Sequence, residues 1–228
     1  MHVEIWSDIA CPWCYIGKRR FEAALAAFEH ADEVTVTWRS FELDPDAPLE
    51  REGDRAVHLA AKYGSTVEHA REMQQRMTDV AATEGLDFRF DLARGGTMFD
   101  AHRVIHLAKA GGLQDAMEER LFRAYLTEGE VVGDHAVLTR LAVEVGLDEA
   151  AVRDLLAGDR HAADVRDDER TGASLGITGV PFFVIDRAIG ASGAQPSEVL
   201  LDLLRQGWAA RSPVTVVAGG ESCGVDGC

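Results

Sequence analysis

Basic residues are scarce in this chain. Lys and Arg number 23 against 39 Asp and Glu, a formal net charge of -16 over 228 residues. Binding a phosphate backbone needs a basic surface, so this balance excludes nucleic acid as a general partner. Long apolar runs are also missing. No stretch approaches the ~20 residues of a membrane span, which excludes the membrane as a partner. The opening Met1-His2-Val3-Glu4-Ile5-Trp6 has neither the basic region nor the apolar run of a secretory signal. The expected compartment is therefore the cytoplasm. Cysteine is rare too, at four residues: Cys11, Cys14, Cys223 and Cys228. In a reducing compartment structural disulfides are uncommon, so a Cys-x-x-Cys spacing points to redox catalysis or to metal.

What is present centres on Cys11-Pro12-Trp13-Cys14. The short apolar run Val3 to Trp6 precedes it as a strand, and a helical pattern starting near Tyr15 follows it. A helix N-terminus carries unpaired amides and the positive end of the helix dipole, and both favour a thiolate on the first sulfur. Cys14, one turn further in, is placed to attack a mixed disulfide formed at Cys11. The same spacing also serves as half of a zinc site. Pro12 suits the first turn of a helix, where a missing N–H costs nothing.

The rest of the chain reads as an interrupted α/β unit. Phe21, Leu25 and Phe28 give the first helix its apolar stripe, and Val34 to Phe41 alternates as a second strand. From about Arg55 to Gly158 apolar residues recur at spacings of three and four between glycines, which predicts an all-helical block. Leu86 to Phe90 reads as a short extended piece within it, and the Met73 and Met77 stripe as core. A charged helix follows over Asp164 to Leu175. Gly179-Val180-Pro181 is a loop, Phe182 to Ile185 a strand buried on both faces, Ala188 to Ala191 its hairpin partner, and Ser197 opens a final helix. The fold class is α/β, with residues 1–48 and 159–212 forming one discontinuous domain, 49–158 a helical insertion, and 213–228 a Gly-rich tail expected to be flexible.

Three stretches carry a resemblance to a known family: Cys11 to Lys18 (CPWCYIGK), Ser40-Phe41-Glu42-Leu43, and Gly179 to Val184 (GVPFFV). Ala101-His102-Arg103 and Ser192 to Pro196 add to it. The chain resembles the DsbA family of thioredoxin-fold proteins over residues 3–208. Within that family it is similar to the FrnE-like branch, related to 2-hydroxychromene-2-carboxylate isomerase and kappa-class glutathione transferase. The resemblance implies a thioredoxin fold with a large helical insertion. It also implies that Pro181 is cis and lies beside the redox pair, freeing the Val180 backbone to pair with an extended substrate.

The isomerase and transferase relatives generally carry serine where this chain has Cys11. Two cysteines suit dithiol–disulfide exchange, so the expected function is a thiol–disulfide oxidoreductase or disulfide isomerase acting on protein or small-molecule disulfides. The alternative is a glutathione-dependent isomerase or transferase. The catalytic set is Cys11, Cys14 and Pro181, with Pro12, Trp13 and Val180 shaping the substrate surface. Compared with the Pro-His of strongly oxidising DsbA, Pro12-Trp13 implies a weaker oxidant. Cys223 and Cys228 read as an auxiliary redox pair, with a four-cysteine metal site and a bland tail as the other readings. Lys18 and Glu42 can tune charge or relay protons, but they read first as solvated or structural residues. His102 and His106 have a metal-binding spacing but no evident further ligand, so they read as surface or helix-packing histidines, and no metal is expected. No cofactor is implied beyond glutathione or a dithiol reductant as co-substrate. A homodimer is the assembly left open.

Overall fold

The computed structural model describes residues 1–51 and 53–211. Its sheet has four strands: β1 (His2–Ser7), β2 (Thr35–Ser40), β3 (Phe182–Ile185) and β4 (Ile189–Ser192), in the order β2-β1-β3-β4. Strand β1 runs parallel to β2, with Val3 opposite Val36, and antiparallel to β3, with Val3 opposite Ile185. The central pair reads as near-continuous apolar sequence because both of its faces are covered. Strand β4 closes one edge as the hairpin partner of β3.

Helix α1 (Pro12–Ala26) leaves β1 through a short loop, with Cys11 as its N-cap and Pro12 at its first position. The helix thus begins three residues before Tyr15, because proline is preset for a first turn. Helices α2 (Arg55–Tyr63), α3 (Val67–Thr83), α4 (Phe99–Ala110), α5 (Gln114–Arg123), α6 (His135–Val145) and α7 (Glu149–Ala157) follow β2. Caps written in the sequence start four of them. Asp54, Thr66, Asp134 and Asp148 each accept a backbone N–H in the first turn, each cap worth about 1 kcal/mol. A π-helical turn, Ala124–Glu128, extends α5. Leu86 to Phe90 forms no strand; Arg89 N–H donates to Leu126 O, a single bond with no neighbouring ladder. Helix α8 (Ala162–Ser174) leads back to β3, and α9 (Ser197–Ala209) ends the described chain.

Two main cores meet along α1. One face of the sheet, with Val3, Ile5, Phe183 and Ile185, buries Phe21 and Ala24 of α1 and Leu200 and Leu204 of α9. The N-terminal turns of α1 instead enter the helical block, where Cys14, Tyr15 and Ile16 pack with Val104, Met117, Leu121 and Phe122. The opposite face of the sheet is closed by α8. Trp6, fully buried, donates its indole N–H to Asp168 O at 2.9 Å, and Gly172 lets the helix backbone approach that ring.

Gly17 sets the depth of α1 on the sheet, since a Cβ there would lie 2.9 Å from Pro181 Cγ and 3.5 Å from Phe183 Cζ. Gly17→Val is expected to destabilise the protein by about 1–3 kcal/mol through overpacking. Urea unfolding followed by circular dichroism checks this, and an unchanged midpoint would contradict the packing described.

Candidate active site

Cys11 and Cys14 both carry free thiols at the first turn of α1, and both are buried. Cys14 N–H donates to Cys11 O at 3.0 Å, which holds the two residues in one helical turn. The Val180–Pro181 peptide is cis and brings Val180 O to 3.6 Å from Cys11 Sγ, close enough to accept the thiol proton. Cys11, Cys14, Val180 and Pro181 are thus together, as the sequence led one to expect. Burial, and then the neighbouring Cys11, push the Cys14 thiol well above its ordinary value of 9.0.

Outward from Cys11 lies a cleft of about 290 Å³. Pro12 and the half-exposed Trp13 form one wall, and α2 and α3 form the other with Leu59, Tyr63, Met73 and Met77. Both methionines line the cleft, and Met77 also packs against the helical-block core, as the stripe led one to expect; α2 and α3 make a further small core around Ala56, Ala60 and Ala70. Cations stand around this apolar lining: Arg51, Arg55 and Lys62, with His58 beside them, against Asp44 as the acidic residue. Arg55 reaches Ala10 O at 3.5 Å and the Tyr125 hydroxyl, so the floor of the cleft is tied to the loop before Cys11.

Beneath the cysteines sits a set of buried ionisable groups. Asp8 accepts Ala10 N–H and Leu43 N–H, clamping the loop that carries Cys11 to the end of β2. His102 is buried 3.8 Å from Asp8; burial alone would lower its pKa, but Asp8, Glu118 and Glu42 raise it from 6.5. Glu42 is buried and ion-paired to Arg166, with burial still holding its carboxyl above the usual range. Lys18 is 2% exposed and meets Glu22, Asp115 and Glu119; burial alone would depress it, yet these carboxylates leave it raised. Glu42 and Lys18 are therefore not solvated. His106 is likewise not a surface residue: it lies against Ser40 and pairs with Asp168 at 3.1 Å. His102 and His106 each face a different carboxylate, and no metal-ligating cluster occurs among the described residues. Cys223 and Cys228 lie outside the described residues.

A family model for the DSBA-like thioredoxin domain matches residues 2–205. The chain belongs to this family. A Bacillus subtilis relative, the uncharacterized protein YwbO, is 30% identical over 198 residues, covering 85% of this chain and 92% of its own. Among solved structures, a probable DsbA oxidoreductase of Streptomyces coelicolor is similar at 48% identity and a TM-score of 0.91, covering 100% of this chain and 98% of that one. The cytosolic disulfide reductase DsbM of Pseudomonas aeruginosa shares the fold at 21% identity and a TM-score of 0.67, over 92% of this chain and 100% of its own. A 2-hydroxychromene-2-carboxylate isomerase shares it at 13% identity and 0.66, over 92% and 97%. The DsbA-like thioredoxin fold with a helical insertion is the fold that the motifs implied.

Several residues around this DsbA-like pair escaped the sequence reading. Asp8 sits three residues before Cys11, in a loop whose signal was its polarity alone. Ser7, Arg55, Tyr125 and Glu118 gave no local signal, because their proximity depends on how the helical block docks. Glu118 is 1% exposed, and burial raises its carboxyl to about 7. The folded state therefore holds this proton more tightly than the unfolded chain. Its contribution to stability is full below the ordinary value of 4.5 and is lost as pH rises through about 7. His102, also raised, slopes the same way from 6.5 upward. Glu118→Gln should then gain stability relative to the natural protein at pH 8 compared with pH 5. Urea titrations at the two pH values check this; an equal difference at both would contradict the buried, raised carboxyl.

Proposed function

We propose that this chain is a thiol–disulfide oxidoreductase in which Cys11 attacks a substrate disulfide and Cys14 resolves the mixed disulfide. The observation that carries the reading is two free thiols in one turn at the start of α1, the outer one against Val180 O at the mouth of a cleft. The step is balanced. Cys11 sulfur bonds one substrate sulfur as the other leaves with its electron pair; Cys14 sulfur then bonds Cys11 and releases the first. Reversed, the same exchange oxidises a dithiol; halted midway, it isomerises disulfides. Pro12, Trp13 and Val180 shape the surface for substrate, and Pro181 packs beside the pair. Cys223 and Cys228 are assigned an auxiliary redox role.

The lining of the cleft supports an anionic thiol or disulfide as substrate. The whole chain is strongly acidic, yet Arg51, Arg55 and Lys62 gather at this apolar opening. Glutathione disulfide and acidic peptide disulfides have this chemistry. The fold neighbour DsbM has also been solved with glutathione, at 21% identity and a TM-score of 0.64. The compartment read is the cytoplasm, in line with a pair that works against a thiol pool. The glutathione-dependent isomerase reading draws on the same basic cleft and on the fold shared with the 2-hydroxychromene-2-carboxylate isomerase.

Insulin reduction and refolding of scrambled ribonuclease separate the two. Both activities are expected to vanish in Cys11→Ser, while Cys14→Ser accumulates a mixed disulfide at Cys11 seen by peptide mapping. Full turnover in Cys14→Ser with glutathione required would instead establish the isomerase reading. On the cleft, Lys62→Gln is expected to raise KM for glutathione disulfide by about two- to five-fold with little change in kcat, the effect of one exposed charge. An unchanged KM in low salt would remove Lys62 from the substrate surface.

A further inference from the structure

Arginines that leave the surface of this protein take carboxylate partners. Arg20, Arg39, Arg103 and Arg120 each pair with at least one. Arg55 is also partly buried, yet among the described residues no carboxylate pairs with it. Its Nη1 donates to the Tyr125 hydroxyl, and its Nη2 reaches Ala10 O at 3.5 Å. Its Nε is buried and meets no acceptor among the described residues. The guanidinium lies over the rings of Phe90 and Tyr125, 5.3 and 5.5 Å from their centroids. Two rings hold the cation in place without cancelling its charge. Tyr125 itself belongs to the π-helical turn after α5, a form of turn that recurs at functional sites.

This uncancelled cation stands beside the reactive sulfur. Arg55 and Cys11 line the same cleft, and Ala10, whose carbonyl Arg55 reaches, is bonded to Cys11. Covalent geometry then holds the guanidinium within roughly 9 Å of Cys11 Sγ. The other cations of the cleft are placed differently. Arg51 is paired with Asp44 at 2.5 Å, and Lys62 is exposed. We propose that Arg55 is a specificity-determining residue that takes a carboxylate of a low-molecular-weight disulfide, one whose acid group lies in the same residue as the sulfur that Cys11 attacks, or in the next. This rests on the oxidoreductase reading above and narrows its anionic substrate to one with the charge beside the sulfur.

The chemistry of the place selects this ligand. Burying a cation without a counter-charge is costly, and a carboxylate that arrives with the substrate removes that cost. The guanidinium fork matches a carboxylate in shape as well as in sign. A cleft of about 290 Å³ is at the small end for a ligand pocket, so it admits one half of a small disulfide and not a folded chain. Leu59 and Met77 line it and can cover methylene groups. With the carboxylate on Arg55, Cys11 sulfur bonds the sulfur nearer that carboxylate. The other sulfur leaves with the bonding electron pair and takes a proton from water. The same cation repels a disulfide that carries ammonium groups, so the site discriminates by rejection as well as by attraction.

Three small disulfides of similar size test the anchor on the full, reduced chain: dithiodipropionate with carboxylates, bis-hydroxyethyl disulfide without charge, and cystamine with ammonium groups. Acid quenching and peptide mapping read the loss of the Cys11 thiol separately from Cys223 and Cys228. Each rate is divided by that of the same disulfide with free mercaptoethanol, which removes intrinsic reactivity. At low salt the natural protein should favour the carboxylated disulfide over the neutral one by roughly ten-fold, and disfavour cystamine. Arg55→Gln should lower the carboxylate-to-neutral ratio by roughly ten-fold and raise the cystamine-to-neutral ratio. Arg55→Lys keeps the charge and loses the fork, so its ratio should fall between the two. A ratio in Arg55→Gln within about two-fold of natural would overturn the anchor. Equal slowing of all three disulfides in Arg55→Gln would also overturn it, since Arg55 would then serve the sulfur or the fold and not the substrate. If none of the three disulfides bonds Cys11 in the natural protein, the oxidoreductase reading itself fails, and the anchor with it.

Discussion

Everything near the cysteines depends on one helix being shared between two cores. The later turns of α1 lie on the sheet through Phe21 and Ala24, and its first turns enter the helical block through Cys14, Tyr15 and Ile16. A helix packed on one side only would leave its N-terminus in solvent, and both thiols with it. Here the sheet fixes the axis, Gly17 fixes the depth against Pro181, and the block covers the inner sulfur. Lys18 reinforces the joint, since its ammonium lies among Glu22 of the same helix and Asp115 and Glu119 of α5. Deleting one partner of such a buried cluster leaves a charge without compensation, which is costlier than the cluster's net contribution.

The same docking divides the site into a wet side and a dry side. Cys11 lines the cleft, where cations collect on an otherwise acidic molecule; Cys14 is buried in the core that α1 shares with the helical block. Two chemically identical side chains thereby acquire different surroundings. One lies at the edge of an open cleft, and the other sits where water is excluded and unpaired charge is expensive.

Local features were legible in the sequence and long-range ones were not. The strands around Val3 to Trp6, Val34 to Phe41 and Phe182 to Ile185 announced themselves by alternation or by unbroken apolar runs, and the structure places strands on each. The helical block was readable from its period and the glycines that punctuate it. Cys11, Cys14, Val180 and Pro181 were found because motif and resemblance named them. The stripe of Met73 and Met77 was read as core, which holds for Met77; that both also line a cleft was hidden, because an apolar stripe at helical spacing looks the same on a core and beside an opening. For Lys18 and Glu42 the reading left solvated and structural open; the structural one holds, and their burial became apparent only with their partners 97 and 124 residues away. Glu118 was silent for the same reason: its meaning lies in Ser7, 111 residues earlier.

The register of the central strands also dictates an order of assembly. Val3 pairs with Ile185, so β1 lacks its antiparallel neighbour until nearly the whole chain has been made. At typical synthesis speeds that interval is on the order of 10–40 s. During it the eight helices α1 to α8 between these strands can form by near-neighbour contacts, which close quickly, whereas the sheet waits on its most distant pairing. The nascent chain therefore carries both active thiols without the Val180 carbonyl that later shelters Cys11. Until that carbonyl arrives, both thiols stand open to exchange with any other sulfur.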